Sequence, residues 1–240
     1  MTKSFPILRA TSLCLAIFCL VTTNTPARVS LSWGAGSQSS KALLTAGGTS
    51  VYRSEIDLNG TDARLSVFSF EHAADALVAK LSRLFANASF SFKGGTMAFG
   101  LLTEGHLAVR FLVIQLTNES QTLVVKIEQS ADDYEKSLKP PEKHLLSQIP
   151  EFPGSKPQFY ARNKDSDMQL ASSSTASTAA DVNTFYESLL PAAGWEKPLT
   201  NTSSLQLYMK GSAVCMVLCS QPDRTGTSTI TLLHKTHGVK

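Results

Sequence analysis

The stretch SVYRSEIDLNGTDARLSVFSF, residues 50–70, decides how the chain is read. Two runs of alternating polar and apolar residues, Ser50–Leu58 and Ala63–Phe70, flank Asn59-Gly60. Alternation at period two marks strands with one buried face. Asn-Gly between them is a strong hairpin signal, because both residues accept the positive φ of a type I′ turn. A helix is predicted next over Glu71–Phe85, with Ala74, Leu77, Val78, Leu81, Leu84 and Phe85 as its buried stripe. Glu71 and Asp75 lie toward its start, Lys80 and Arg83 toward its end, as the helix dipole favours. Val109–Ile114 and Leu123–Glu128 then read as two further strands.

The same order of events recurs 105–106 residues later. Asp62-Ala-Arg-Leu65 corresponds to Asp167-Met-Gln-Leu170, and Ala74-Asp75 to Ala180-Asp181. Val109–Ile114 corresponds to Val214–Cys219, and Leu123–Glu128 to Thr229–His234. A nearly constant offset over four landmarks predicts a duplication. The expected fold class is therefore α+β: two tandem β-β-α-β-β repeats, 50–129 and 158–240, each a mostly antiparallel sheet covered by one helix. In the second, strands are expected at Gln158–Arg162 and Met168–Ser173, and a helix from Thr178 burying Val182, Phe185, Tyr186 and Leu189. Thr178-Ala-Ala-Asp181 resembles a capping box with Asp in place of Glu. Gly194 suits a left-handed C′ position, which folds Trp195 back onto the last turn. Phe185, Tyr186 and Trp195 are read as core rather than as a ligand site.

Between the repeats, residues 130–157 form a proline-rich connector. Ala131–Ser137 has room for one or two helical turns, and the prolines from Pro140 to Pro153 force extended chain beyond it. Residues 28–49, rich in Gly and Ser, are expected to be flexible apart from a short strand near Val29–Trp33.

Residues 1–27 read as a signal peptide: Lys3 and Arg9, an apolar run Leu13–Val21, then a polar region ending Thr25-Pro-Ala27, with cleavage expected after Ala27. The run is shorter than the ~20 residues of a membrane-spanning helix, and no later stretch is long enough, so no integral span is expected after cleavage. The formal charge is +3, and Lys3 and Arg9 leave with the leader, so the mature chain is near +1. That balance gives no electrostatic reason to expect nucleic acid as a partner. Cys14 and Cys19 also depart, leaving Cys215 and Cys219 on one strand. Residues four apart on a strand are ~13 Å apart, beyond disulfide reach, so both are read as small buried hydrophobes.

Residues arranged for chemistry are few. None of His72, His106, His144, His234 and His237 has a second ligand at metal spacing, and each is expected at the surface. Gly34-Ala-Gly36 lacks the rest of a dinucleotide fingerprint, and Lys93-Gly94-Gly95-Thr96 lacks Walker spacing and reads as a turn. Asp132-Asp133 reads as a solvated pair. Asn59, Asn87, Asn118 and Asn201 each open an N-x-S/T sequon at a predicted turn or element end. No catalytic, cofactor-binding or metal residue is assigned, and no cofactor is expected.

Ile149-Pro-Glu-Phe-Pro153-Gly154, followed by Phe185-Tyr186-x-x-Leu189 and Gly194-Trp195, resembles a domain of uncharacterised exported bacterial proteins. That domain carries an IPxYPG lead-in and an FY…L…GW helix, and Phe152 here stands where its Tyr is usual. The resemblance covers roughly residues 149–235 and implies an α+β domain in the cell envelope with no known activity. The expected function is that of an exported, non-catalytic envelope protein, periplasmic or secreted, acting as a protein-binding or structural module. The alternatives are a small-molecule sensor or carrier with a pocket between the repeats, and a hydrolase assembled only by the fold. An exposed strand edge beside a filled core would favour partner binding.

Overall fold

The computed structural model describes residues 37–93, 97–115, 121–141, 146, 148–198, 205–222 and 225–236. The leader and its cleavage point, the strand near Val29–Trp33, Gly94–Thr96, Asn118, His144, Asn201 and His237 lie outside them.

The fold departs from two β-β-α-β-β repeats with separate helix-covered sheets. The described strands form one 11-stranded order, β3-β4-β5-β6-β2-β1-β7-β8-β11-β10-β9, accompanied by four helices. Four strands follow the first long helix and three follow the second, where two are expected in each case. The unexpected strands are Ser89–Lys93, Met97–Glu104 and Leu205–Lys210. Their pairing is set by sheet neighbours far along the chain, which local alternation does not report. The described residues divide into two compact units, one of 37–56 with Thr61–Lys136, the other of Asp57–Gly60 with those from Ser137 on.

The first unit contains α1 (Gln38–Thr45), β1 (Thr49–Leu58), β2 (Thr61–Phe70), α2 (Ala74–Leu84), β3 (Ser89–Lys93), β4 (Met97–Glu104), β5 (Leu107–Gln115), β6 (Thr122–Ser130) and α3 (Ala131–Ser137). β4, β5 and β6 form an antiparallel meander, and β2 closes onto β6 with Val67 opposite Val125. Helix α2 lays Ala74, Leu77, Val78 and Leu81 onto Phe68, Phe111 and Val113. Leu84, expected in that stripe, is the helix's final residue and is 43% exposed. Helix α1 is a second correction, because composition predicts a flexible segment there. Ser37 supplies the missing signal: its hydroxyl accepts the Ser40 N–H as an N-cap, and Leu43 and Ala46 join the core.

The second unit contains β7 (Lys156–Asn163), β8 (Met168–Thr175), α4 (Ala179–Ala192), β9 (Leu205–Lys210), β10 (Ala213–Cys219) and β11 (Ser228–Lys235), with β11 pairing β8. Thr178 and Asp181 form the reciprocal capping box at the start of α4. Val182, Tyr186 and Leu190 are buried at four-residue spacing, whereas Phe185 is half-buried against Phe152 and Leu189 is 38% exposed. The buried stripe is thus shifted by one residue from the expected one at its C-terminal end.

The tip of the β1–β2 hairpin belongs to this second unit. Asn59 and Gly60 both have positive φ, 51° and 83°, as the turn requires. Asn59 donates its backbone N–H to Tyr160 O (2.9 Å), and its Oδ1 accepts Tyr160 N–H (2.7 Å). Its Nδ2 donates to Ser137 O and Lys139 O at 2.7 and 3.1 Å. With both amide protons engaged, this sequon is closed to glycan transfer in the folded chain, while the side chain of Asn87 is exposed. Asn59→Ala removes three side-chain hydrogen bonds and the residue's tolerance of left-handed backbone. It is expected to cost about 2–4 kcal/mol, read by urea unfolding.

Candidate functional site

Strand β6 reads TLVVKIEQS, and alternation places Lys126 and Glu128 on the same face as Val124. That face is the helix-covered one, so a lysine and a glutamate are carried into a core. The Lys126 side chain is fully buried, and its Nζ lies 2.9 Å from Glu128 Oε1. Nζ also donates to Ser37 Oγ (2.9 Å) and to Ser40 Oγ, both at the start of α1. Ser39 adds an O–H to Glu128 (3.4 Å) and its N–H to Glu104 Oε2 (3.2 Å). Burial pulls the Lys126 ammonium below the ordinary lysine range, opposed by the negative charge and hydrogen bond of Glu128 and by Glu104.

A serine beside a lysine of lowered pKa has the ingredients of a nucleophile and its base. The donor inventory points elsewhere. An ammonium has three N–H bonds, and Ser37, Ser40 and Glu128 take all three. The group is a saturated donor hub that fastens α1 to the sheet. The signal that sequence reading missed is the register: in an ordinary half-buried strand Lys126 and Glu128 would have faced water, but β6 is buried on both faces.

A second candidate is the pair Cys215 and His234, directly opposite on the β10–β11 ladder. His234, expected at the surface, is instead buried, edge-on to Trp195 at 5.8 Å between ring centroids. Burial pushes the Cys215 thiol up to about 12 and Cys219 up to about 11, and it lowers His234. An activated cysteine needs the opposite shifts, a thiolate beside an imidazolium. Both groups are neutral core residues here. At pH 8, Cys215 and Cys219 of the native protein are together expected to react with a thiol reagent such as DTNB at well under one equivalent, rising to two after unfolding.

His234 carries a pH consequence. Its folded pKa lies below the unfolded value, so on acidification the unfolded chain takes up the proton first. Stability is therefore expected to fall as pH drops below about 6.5. His234→Phe should flatten that slope in urea titrations at pH 5 to 7; an unchanged slope would show that His234 does not set it.

The remaining singled-out residues are not brought together. His72 is exposed beside the start of α2, His106 is exposed in the β4–β5 turn, and Asp132 and Asp133 occupy the first turn of α3. Among the described residues no group of His, Cys, Asp or Glu is arranged to hold a metal ion, and no helix is long and apolar enough to cross a membrane.

The third candidate is a sheet edge. Strand β3 ends the strand order and pairs only with β4 among the described strands. Phe90 anchors it, because the ring lies where a side chain on Gly100 would be and stacks on Phe111 at 5.9 Å. Phe92, two residues on and on the same face, is 48% exposed, and Ser89 and Ser91 on the other face are exposed too. At the opposite end of the order, β9 is blocked: Glu196 and Met209 exchange backbone hydrogen bonds of 2.7 and 2.8 Å. The two edges are thus unlike: β9 is bridged at Met209, and β3 pairs with no described strand but β4.

Comparison with family models, with curated proteins and with solved structures found no match for the chain.

Proposed function

We propose that this is an exported, non-catalytic envelope protein that binds a protein partner by accepting an extended segment along β3. The carrying observation is the β3 edge, anchored at Phe90, presenting Phe92 and pairing only with β4 among the described strands, whereas β9 is bridged by Glu196 at Met209. Edge strands are usually guarded by inward charges, prolines or cover. Over β3 the one charge is the terminal Lys93; Ser-Phe-Ser-Phe before it carries no charge and no proline. Main-chain hydrogen bonds along such an edge supply affinity, and pockets for alternate side chains supply selectivity. The buried polar groups support the non-catalytic part, since the lysine hub is saturated and the cysteines and His234 are held neutral. The leader, and the resemblance of residues 149–235 to exported bacterial domains, support the envelope location.

The test is photocrosslinking in intact cells of the exporting host, with a benzophenone amino acid at position 92 and, as control, at exposed Arg83. A discrete adduct from position 92 alone supports the proposal. A second variant, with the crosslinker at Ser91 and Phe92→Glu, should lose at least ten-fold in yield while far-ultraviolet circular dichroism is unchanged. Equal yields from positions 92 and 83 would overturn it.

A further inference from the structure

The face of the first unit's sheet opposite α2 holds a cation, Arg110, that forms no ion pair among the described residues. Arg110 projects from β5, diagonal to Gln129 on β6, whose Oε1 accepts from its Nη2. Gln129 is itself fixed, donating from Nε2 to Thr61 Oγ1 at 2.8 Å. Tyr134 of α3 covers the guanidinium plane, with its ring centroid 5.2 Å from Arg110 Cζ. Arg110 Nε is buried and has no hydrogen-bond partner. Acidic residues are near in sequence yet directed elsewhere. Glu128 faces Lys126, and Asp133 accepts the Ser130 hydroxyl. Desolvation lowers the guanidinium to about 10, and Tyr134 opposes that shift. Among the described residues the protonated fork thus donates one hydrogen bond, to Gln129, of the five it can make.

We propose that Arg110, Gln129 and Tyr134 form a binding site for an oxyanion, a carboxylate or phosphate group that brings the counter-charge. A buried cation without a partner is costly, and a guanidinium already oriented by one hydrogen bond and one aromatic face loses little freedom when an anion takes its remaining donors. Bidentate pairing with carboxylate or phosphate suits that planar fork. As a residue Arg110 is only half-buried, so the group is approachable although Nε is enclosed.

The test uses inorganic phosphate and sodium acetate, each titrated against sodium chloride at matched ionic strength. Two readouts are the melting temperature and the ¹⁵N resonance of the arginine Nε–H groups. A saturable rise in melting temperature, with one arginine resonance moving in parallel and both lost in Arg110→Met, is the expected result. Gln129→Leu should weaken the apparent affinity at least five-fold. Which anion acts identifies phosphate or carboxylate as the source. If neither anion moves an arginine resonance, or if the stabilisation survives in a folded Arg110→Met protein, the site is refuted.

Discussion

Glu128→Leu is expected to lower the unfolding free energy by about 3–5 kcal/mol, because it strands the Lys126 ammonium in a core without its counter-charge. Ser37 and Ser40 still accept from Nζ, but two neutral hydroxyls do not replace a carboxylate. Removing both charges together should behave differently. Lys126→Met with Glu128→Leu replaces the pair by apolar side chains of similar volume, and such replacements are commonly neutral or stabilising. The double variant is therefore expected within about 1 kcal/mol of the native protein. The pH dependence separates this account from mere loss of packing. In Glu128→Leu the lowering of Lys126 by burial is opposed only by Glu104, so its folded pKa falls further below the unfolded one. Between those two values the unfolded chain holds more protons, and stability rises with pH. The deficit of the single variant should thus narrow from pH 7 toward pH 10. A deficit that is constant over that range would mean that charge burial is not its cause.

Trp195→Ala is expected to cost a similar amount, about 3–5 kcal/mol. The indole is only 4% exposed and packs with Tyr186, Leu190 and Tyr208 in the core of the second unit. Its backbone completes a helix stop: Trp195 N–H reaches Leu190 O at 3.0 Å and Gly194 N–H reaches Pro191 O at 2.9 Å. These are the two hydrogen bonds of a Schellman motif, with Gly194 at φ 83° in the left-handed position. Gly194→Ala keeps the indole and strains only the backbone, so about 1–2 kcal/mol is expected. The order of the two variants in urea unfolding is the check. If Gly194→Ala proves the worse, the backbone turn rather than the buried ring holds this helix end.

What the sequence shows and what it hides divide by range. The Asn59-Gly60 turn, the Thr178–Asp181 capping box and the Gly194-Trp195 stop each depend on residues within a few positions of one another, and all three are present. The lysine hub joins residues 86 and 89 apart, and no local pattern pairs them. Alternation in Leu123–Glu128 is legible, but alternation names a buried face only when the other face is wet, and β6 is buried on both. His234 reads as a surface residue for the same reason: it ends a strand in sequence while lying under Trp195 in space. Helix α1 is hidden by its own cap, because serines that read as flexible chain also stop and start helices. The open edge depends on the strand order of the whole sheet, and four residues of Ser and Phe before a lysine do not announce which strand lies last.

The claim that β3 is a recognition edge is tested most directly by amide hydrogen exchange across residues 89–93, in the free protein and in the complex captured through position 92. Strand addition protects the outward amides of β3, so exchange there is expected to slow at least ten-fold in the complex, while β9, already covered by Glu196, stays unchanged. Unaltered exchange at β3, with protection appearing on another element, would contradict the account.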